Sequence, residues 1–118
     1  MGNRGSISVF NQETGDESVV LFRHHCGDLQ GMEWLLEEAV EADNEKVFSR
    51  KDPQEIIAHL CAVSVKQLGI ATYLGKERTD GDNSDNGHFQ LVLKEEKMWL
   101  EQEAKSQTEW YLEKEEGE

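Results

Sequence analysis

Glu33, Glu37, Glu41 and Glu45 recur at every fourth position, and no lysine or arginine occurs between Arg23 and Lys46. Carboxylates four apart share one face of a helix and repel by about 0.2–0.5 kcal/mol per pair, where a glutamate-to-lysine pair would gain as much. Stability alone does not select that spacing. The chemistry it points to is recognition of a cationic surface. Glu38 widens the stripe, and Trp34, which lies off the apolar side of the same helix, offers an aromatic anchor. One carboxylate per about 6 Å of helix rise compares with one phosphate per about 3.4 Å of a DNA strand, a partial electrostatic likeness to nucleic acid. A solvated helix face explains many charge runs, but such faces ordinarily mix signs.

The soft and imidazole ligands are His24, His25, Cys26, His59, Cys61 and His88. A structural zinc needs four such groups to converge. Strand alternation would send His24 and Cys26 to one face and His25 to the other, while His59 and Cys61 diverge by about 200° around a helix. A metal-dependent or thiol enzyme using His24, Cys26 and His59 is the alternative chemistry, although none of these spacings is a recognised paired-ligand pattern. The chain has no Gly-x-Ser-x-Gly elbow, phosphate loop or His-Glu-x-x-His pair. Asp80, Asp82 and Asp85 miss the EF-hand series and read as a solvated hairpin loop. No cofactor is expected.

At 118 residues the chain is read as one domain, 1–118, with room for a single core. Its net charge is −13, and the acid is concentrated. Residues 28–55 hold nine acidic and three basic side chains, and residues 95–118 hold the same numbers. Such a surface repels phosphates and anionic headgroups, so direct nucleic acid or membrane binding is not expected and a basic protein surface is. No apolar run approaches the roughly 20 residues of a membrane span, and two cysteines make no disulfide framework, which together point to the cytoplasm.

Ile7, Val9 and Phe10, a turn-rich stretch 11–16, and Val19-Val20-Leu21-Phe22 predict an antiparallel hairpin over 6–11 and 17–25. The second strand is apolar on both faces and belongs inside the sheet. Met32, Leu35, Leu36, Ala39 and Val40 follow the spacing of a helix packed on one side. Asp52-Pro53-Gln54-Glu55 opens a second helix, with Ile56, Ile57, Leu60, Val63 and Leu68 on its buried side and Gly69 as its cap. Strands are expected at 71–74 and 88–93, with a polar loop over 76–87 between them. Residues 95–116 are helix-prone by composition, but Trp99, Trp110 and Tyr111 favour strands near 97–103 and 108–114. Residues 113–118 form an acidic tail. The fold class is therefore α+β: an antiparallel sheet with two helices on one face, in the order ββααββ, plus a C-terminal hairpin or helix.

Met1-Gly2-Asn3-Arg4-Gly5 before a strand, Phe22-Arg23-His24-His25-Cys26-Gly27 at a strand end, and Asp85-Asn86-Gly87 before a later strand form a familiar set. The arrangement resembles small uncharacterised phage, archaeal and mobile-element proteins that begin Gly-Asn-Arg-Ala or Gly-Asn-Arg-Gly and carry an aromatic-x-His-Trp-x-Gly element. His25 stands where the aromatic partner would be. The resemblance implies the ββααββ order and a mobile-element setting, and it carries no activity to transfer.

The expected function is a non-enzymatic acidic module whose Glu33, Trp34, Glu37, Glu38, Glu41 and Glu45 dock on a basic, nucleic-acid-binding surface of a partner, as an inhibitor of host defence would. The other alternative is an oligomeric structural protein with Trp99, Trp110 and Tyr111 in its interface.

Overall fold

The computed structural model describes residues 3–69, 71–102 and 105–111, the last of these as backbone. The acidic tail expected at 113–118 lies outside the described residues. The elements are β1 (Gly5–Asn11), β2 (Val20–Arg23), α1 (Leu29–Glu41), α2 (Val47–Arg50), α3 (Pro53–Leu68), β3 (Thr72–Gly75), β4 (His88–Lys94), β5 (Lys97–Gln102) and β6 (Lys105–Tyr111). The strands form one sheet in the order β3-β2-β1-β4-β5-β6.

The α+β class and the helices at 29–41 and 53–68 agree with the sequence reading, and two features differ. The sheet is mixed, because β1 pairs antiparallel with β2 but parallel with β4. A third, one-turn helix, α2, stands between the two expected ones. The parallel pair follows from how the chain returns. β3 adds beyond β2 at the sheet edge, so the chain must cross both β2 and β1 before it can pair as β4. Parallel neighbours need a crossover of about a dozen residues, and the 76–87 stretch supplies it. That stretch is a crossover lying against the sheet, not a hairpin loop. Beyond β4 the chain turns back twice into antiparallel β5 and β6, resolving the conflict at 97–111 in favour of strands.

The first hairpin is less regular than its composition predicts. Ladder pairing runs from Gly5↔Arg23 to Ile7↔Leu21. Past that point the Ser18 hydroxyl accepts from the Val9 N–H at 2.9 Å, and a single bridge joins Phe10 and Glu17. A side chain has taken the place of a ladder bond.

Alternation along the strands gives the sheet two unlike faces. Ile7, Val9, Leu21, Phe89, Leu91, Leu93, Met98 and Leu100 point to one face and pack against Met32, Leu35, Leu36 and Ala39 of α1 and Ile56, Ile57 and Leu60 of α3. The caps that start these helices are side chains the sequence makes visible. Asp28 accepts from Gly31 N at 2.9 Å, and Asp52 accepts from Gln54 N at 3.1 Å with Pro53 in the first turn. Asp43 starts α2 by accepting from the N–H groups of Val47 and Phe48 at 2.8 and 3.1 Å. On the opposite face β1 presents Ser6 and Ser8 and β4 presents His88, and the crossover lies over them.

Where β1 begins, its backbone runs against the turn that leads from β2 into α1. The Gly27 N–H donates to Asn3 O at 2.8 Å, and Asn3 N donates to His24 O at 3.0 Å. A Cβ at Gly27 would land on the Gly5 nitrogen, and one at Gly5 on the Gly27 carbonyl. Only backbone lies there, so nothing can rotate aside. Gly27→Ala is expected to destabilise the fold by on the order of 3 kcal/mol. The midpoint of urea unfolding, at an unchanged slope, reads the loss.

Candidate functional site

α1 carries the acidic face outward. Glu37, Glu38 and Glu41 are exposed and Glu33 is half-buried. The last turn contains Glu38 and Glu41 and no basic residue, so these carboxylates sit at the negative end of the helix dipole. Among the described residues neither Glu37 nor Glu41 has a cationic side chain within 4.0 Å; the ion pairs involve Glu13, Glu17, Glu55, Asp82 and Asp85. Glu45 does not share the stripe. The helix stops at Glu41 with Ala42 as its cap, and Glu45 falls in the following turn. There its carbonyl accepts from Arg50 Nη1 at 2.7 Å, while Arg50 Nε reaches Glu55 at 2.8 Å. The spacing is helical in sequence, but the chain must break to seat α2.

Trp34 is 38% exposed, as its position off the buried stripe requires. Its indole N–H donates to Glu38 Oε2 at 3.2 Å. Gln67 of α3 donates to Glu38 Oε1 at 3.0 Å, so both oxygens of that carboxylate are engaged. Glu33, Trp34 and Glu37, with Asp28 and Cys26, line an open groove beside the first turns of α1.

Behind this surface lies a residue that sequence reasoning overlooked. Arg23, the last residue of β2, is completely buried. Its Nη2 donates to Gln67 Oε1 at 3.0 Å and its guanidinium carbon lies 6.0 Å from the Trp34 ring centroid, yet Nε and Nη1 have no partner among the described residues. Burial pulls its pKa down to about 10, against the opposing influence of Cys26 and Asp28. Its place in an otherwise apolar strand run was the available signal.

The thiol and imidazole set does not converge. β2 ends at Arg23, so the alternation that would have put His24 and Cys26 on one face does not continue. His24 packs edge-on against Tyr73 at 5.3 Å. Cys26 is half-buried with φ of 56°. His59 Nε2 donates to the Ala39 carbonyl at 2.8 Å and its ring meets Phe48 edge-on, tying α3 to α1 and α2. Among the described residues no three His, Cys, Asp or Glu side chains come together to hold a metal ion. The acidic loop is also spent internally. Asp82 and Asp85 clasp Arg4 at 2.6 and 2.9 Å, and Asp80 accepts from the N–H groups of Lys76 and Glu77. Trp99, offered to an oligomer interface, is half-buried with its N–H on Glu101 at 3.0 Å; the side chains of Trp110 and Tyr111 lie outside the described residues.

A serine, histidine and carboxylate do meet on the polar face. Ser8 donates to Glu17 Oε2 at 2.6 Å, and His88 Nε2 lies 2.9 Å from the same hydroxyl. Since the Ser8 proton is committed to the carboxylate, His88 Nε2 must be the donor. His88 Nδ1 is then the acceptor for Ser6 at 2.7 Å, and Ser6 in turn accepts from Asn83 Nδ2 at 2.9 Å. Every donor points toward Glu17. The order is not that of a hydrolase, because Ser8 has no exposed surface for a substrate to reach. Burial, with the nearby Arg78 cation, pulls the His88 pKa down to about 4, although Glu17 opposes the shift. Burial would raise the Glu17 carboxyl, but bonds from Ser8 and Gln90 and the charge of Arg78 outweigh it and hold it below the usual range.

No family model matches the chain, and no curated protein or solved structure does.

Two outcomes are expected. Arg23→Met should stabilise the fold by on the order of 1 kcal/mol, because it keeps the volume and removes an unpaired buried charge, whereas Arg23→Ala should destabilise it. Chemical denaturation of the two variants checks both signs. His88 binds its proton less tightly folded than unfolded, so the stability its neutral form contributes is complete above pH 6.5 and lost as pH falls through the window down to about 4. Across that window wild-type stability should drop by about 3 kcal/mol, and His88→Gln should remove most of this dependence.

Proposed function

We propose that this protein is a non-enzymatic interaction module that docks the outer face of α1 on a basic surface of a partner protein. The observation that carries this reading is the pair Glu37 and Glu41, without a cationic partner among the described residues and exposed in the last two turns of a helix whose dipole already disfavours them. A charge arrangement that costs stability without local compensation is accounted for by a cation supplied from outside. Trp34, partly exposed one turn before Glu37 and Glu38, adds apolar contact area to an otherwise electrostatic face. Glu38 holds the Trp34 indole in place, and Glu33 and Asp28 extend the negative potential along the groove.

The kind of partner surface that fits is one built for nucleic acid, rich in lysine and arginine. The module acts by occupying that surface. In its specific form, the reading is of an inhibitor of host defence working in the cytoplasm; the resemblance of its short motifs bears only on the mobile-element setting. The non-enzymatic part of the reading is supported by the dispersal of His24, Cys26 and His59 and by the complete burial of Ser8. No helix among the described residues is long and apolar enough to cross a membrane.

A basic partner captured from host lysate at low salt provides the test. Glu37→Lys combined with Glu41→Lys should slow association by about tenfold or more and flatten its salt dependence. Trp34→Ala should act on dissociation instead. A short DNA duplex should displace the protein from its partner. Association kinetics unchanged in the double-lysine variant would remove the α1 face from the mechanism.

A further inference from the structure

The crossover 76–87 reaches the polar face of the sheet through side chains at both ends of one hydrogen-bonded chain. At one end Asn83 donates to Ser6; at the other, Arg78 Nη2 reaches Glu17 Oε2 at 3.5 Å, and between them the order is Ser6, His88, Ser8, Glu17. We propose that His88 is an acid-operated latch, whose uptake of a second proton releases residues 77–81 from the sheet while the helix-covered core stays folded.

The argument rests on the direction of the chain. Ser6 is completely buried, and its hydroxyl proton goes to His88 Nδ1. A proton arriving at Nδ1 from solvent makes that atom a donor, so the Ser6 proton loses its acceptor where no water can replace it. The Asn83 amide can supply a new acceptor only by turning over. The Asn83–Ser6 bond then survives in reverse through Oδ1, but Nδ2 leaves the Arg78 carbonyl, which it reaches at 3.4 Å. Residues 77–81 thereby lose the tie between the Arg78 backbone and Asn83. The new charge on His88 also faces the Arg78 guanidinium, loosening the second attachment.

The charged groups that bear on His88 come from each neighbouring segment. Glu17, between β1 and β2, favours the imidazolium, and Arg78 of the crossover opposes it. Glu101 of β5 lies on the same face opposite Gln90, with one oxygen held by the Trp99 indole. Arg4, Asp82 and Asp85 form the clasp at the far end of the crossover. β1 contributes only hydroxyls. Burial puts the folded-state titration of His88 near pH 4, whereas bonds from Ser84, aided by the Arg4 charge, hold the Asp82 carboxyl below its usual range and bonds from Arg4 do the same for Asp85. The clasp therefore survives the protonation that opens the latch, and the opening stops short of Asp82. Gly81 packs against the Phe22 ring, and the Asp82 N–H donates to the Tyr73 hydroxyl at 3.0 Å. Release of Gly81 consequently bares the Phe22 ring, which stacks on Tyr73 with centroids 5.1 Å apart. None of these groups belongs to the core under the helices.

Nuclear magnetic resonance between pH 7 and 3 tests the latch on the intact chain. The His88 ring signals should titrate with a midpoint near 4. The Gly81 and Asn83 amide signals should shift in step with them, while those of Leu35 and Leu91 keep their folded positions. In His88→Gln, which cannot take up the proton, the Gly81 and Asn83 signals should hold their neutral-pH positions at pH 4. A His88 midpoint near its ordinary value of 6.5 would overturn the proposal. So would simultaneous loss of crossover and core signals in the wild type, or a His88→Gln crossover that opens at the wild-type pH. If that variant fails to fold, the wild-type titration decides by itself.

Discussion

The arrangement depends on β1 being a central strand that is buried on both faces while carrying serine on one of them. Ile7 and Val9 need only apolar neighbours, and α1 and α3 provide them. Ser6 and Ser8, equally buried, need hydrogen-bond partners, because a hydroxyl taken out of water without one costs about 1–3 kcal/mol. That requirement accounts for a histidine opposite them on β4, a glutamate at the end of the first hairpin, and a crossover whose Asn83 reaches inward. The polar loop is polar because it covers polar atoms.

The two sides of the molecule handle charge in opposite ways. On the crossover side, Arg4, Arg78 and the carboxylates Glu17, Asp82 and Asp85 satisfy one another. On the helix side, Arg23 is enclosed with two nitrogens, Nε and Nη1, unpartnered among the described residues, and Glu37 and Glu41 stand outside with no described cation within reach. Gln67 lies between the two charge types, donating to Glu38 and accepting from Arg23. One neutral amide thus replaces a direct arginine-to-carboxylate pair. Local stability is left incomplete on the face proposed for docking, and functional sites are where natural proteins tend to depart from the locally favourable choice.

Much of the fold was legible because its signals are local. The apolar period of Met32, Leu35, Leu36 and Ala39, the Asp52-Pro53 start, the Gly69 stop and the β-branched strand runs each act within a few residues. The acidic face was legible for the same reason, since helical period alone brings Glu33, Glu37 and Glu41 together. Glu45 fits the same count in sequence but leaves the stripe where Asp43 caps a new turn. The placement of His24 and Cys26 on one face failed because alternation stops at Arg23, where the strand ends.

Sequence by itself determined the class of β1, β4, α1 and α3, the outward acid of α1 and the absence of familiar catalytic spacings, because these depend on contacts between near neighbours. Only the tertiary structure decided that β4 lies parallel to β1, that Arg23 is sealed with Nε and Nη1 unpartnered among the described residues, and that Ser6, Ser8, Glu17 and His88 form one chain. Those pairings join residues as many as 82 positions apart. Their existence turns on which edge of the sheet the chain adds to next, a choice made by global packing and invisible to any local period.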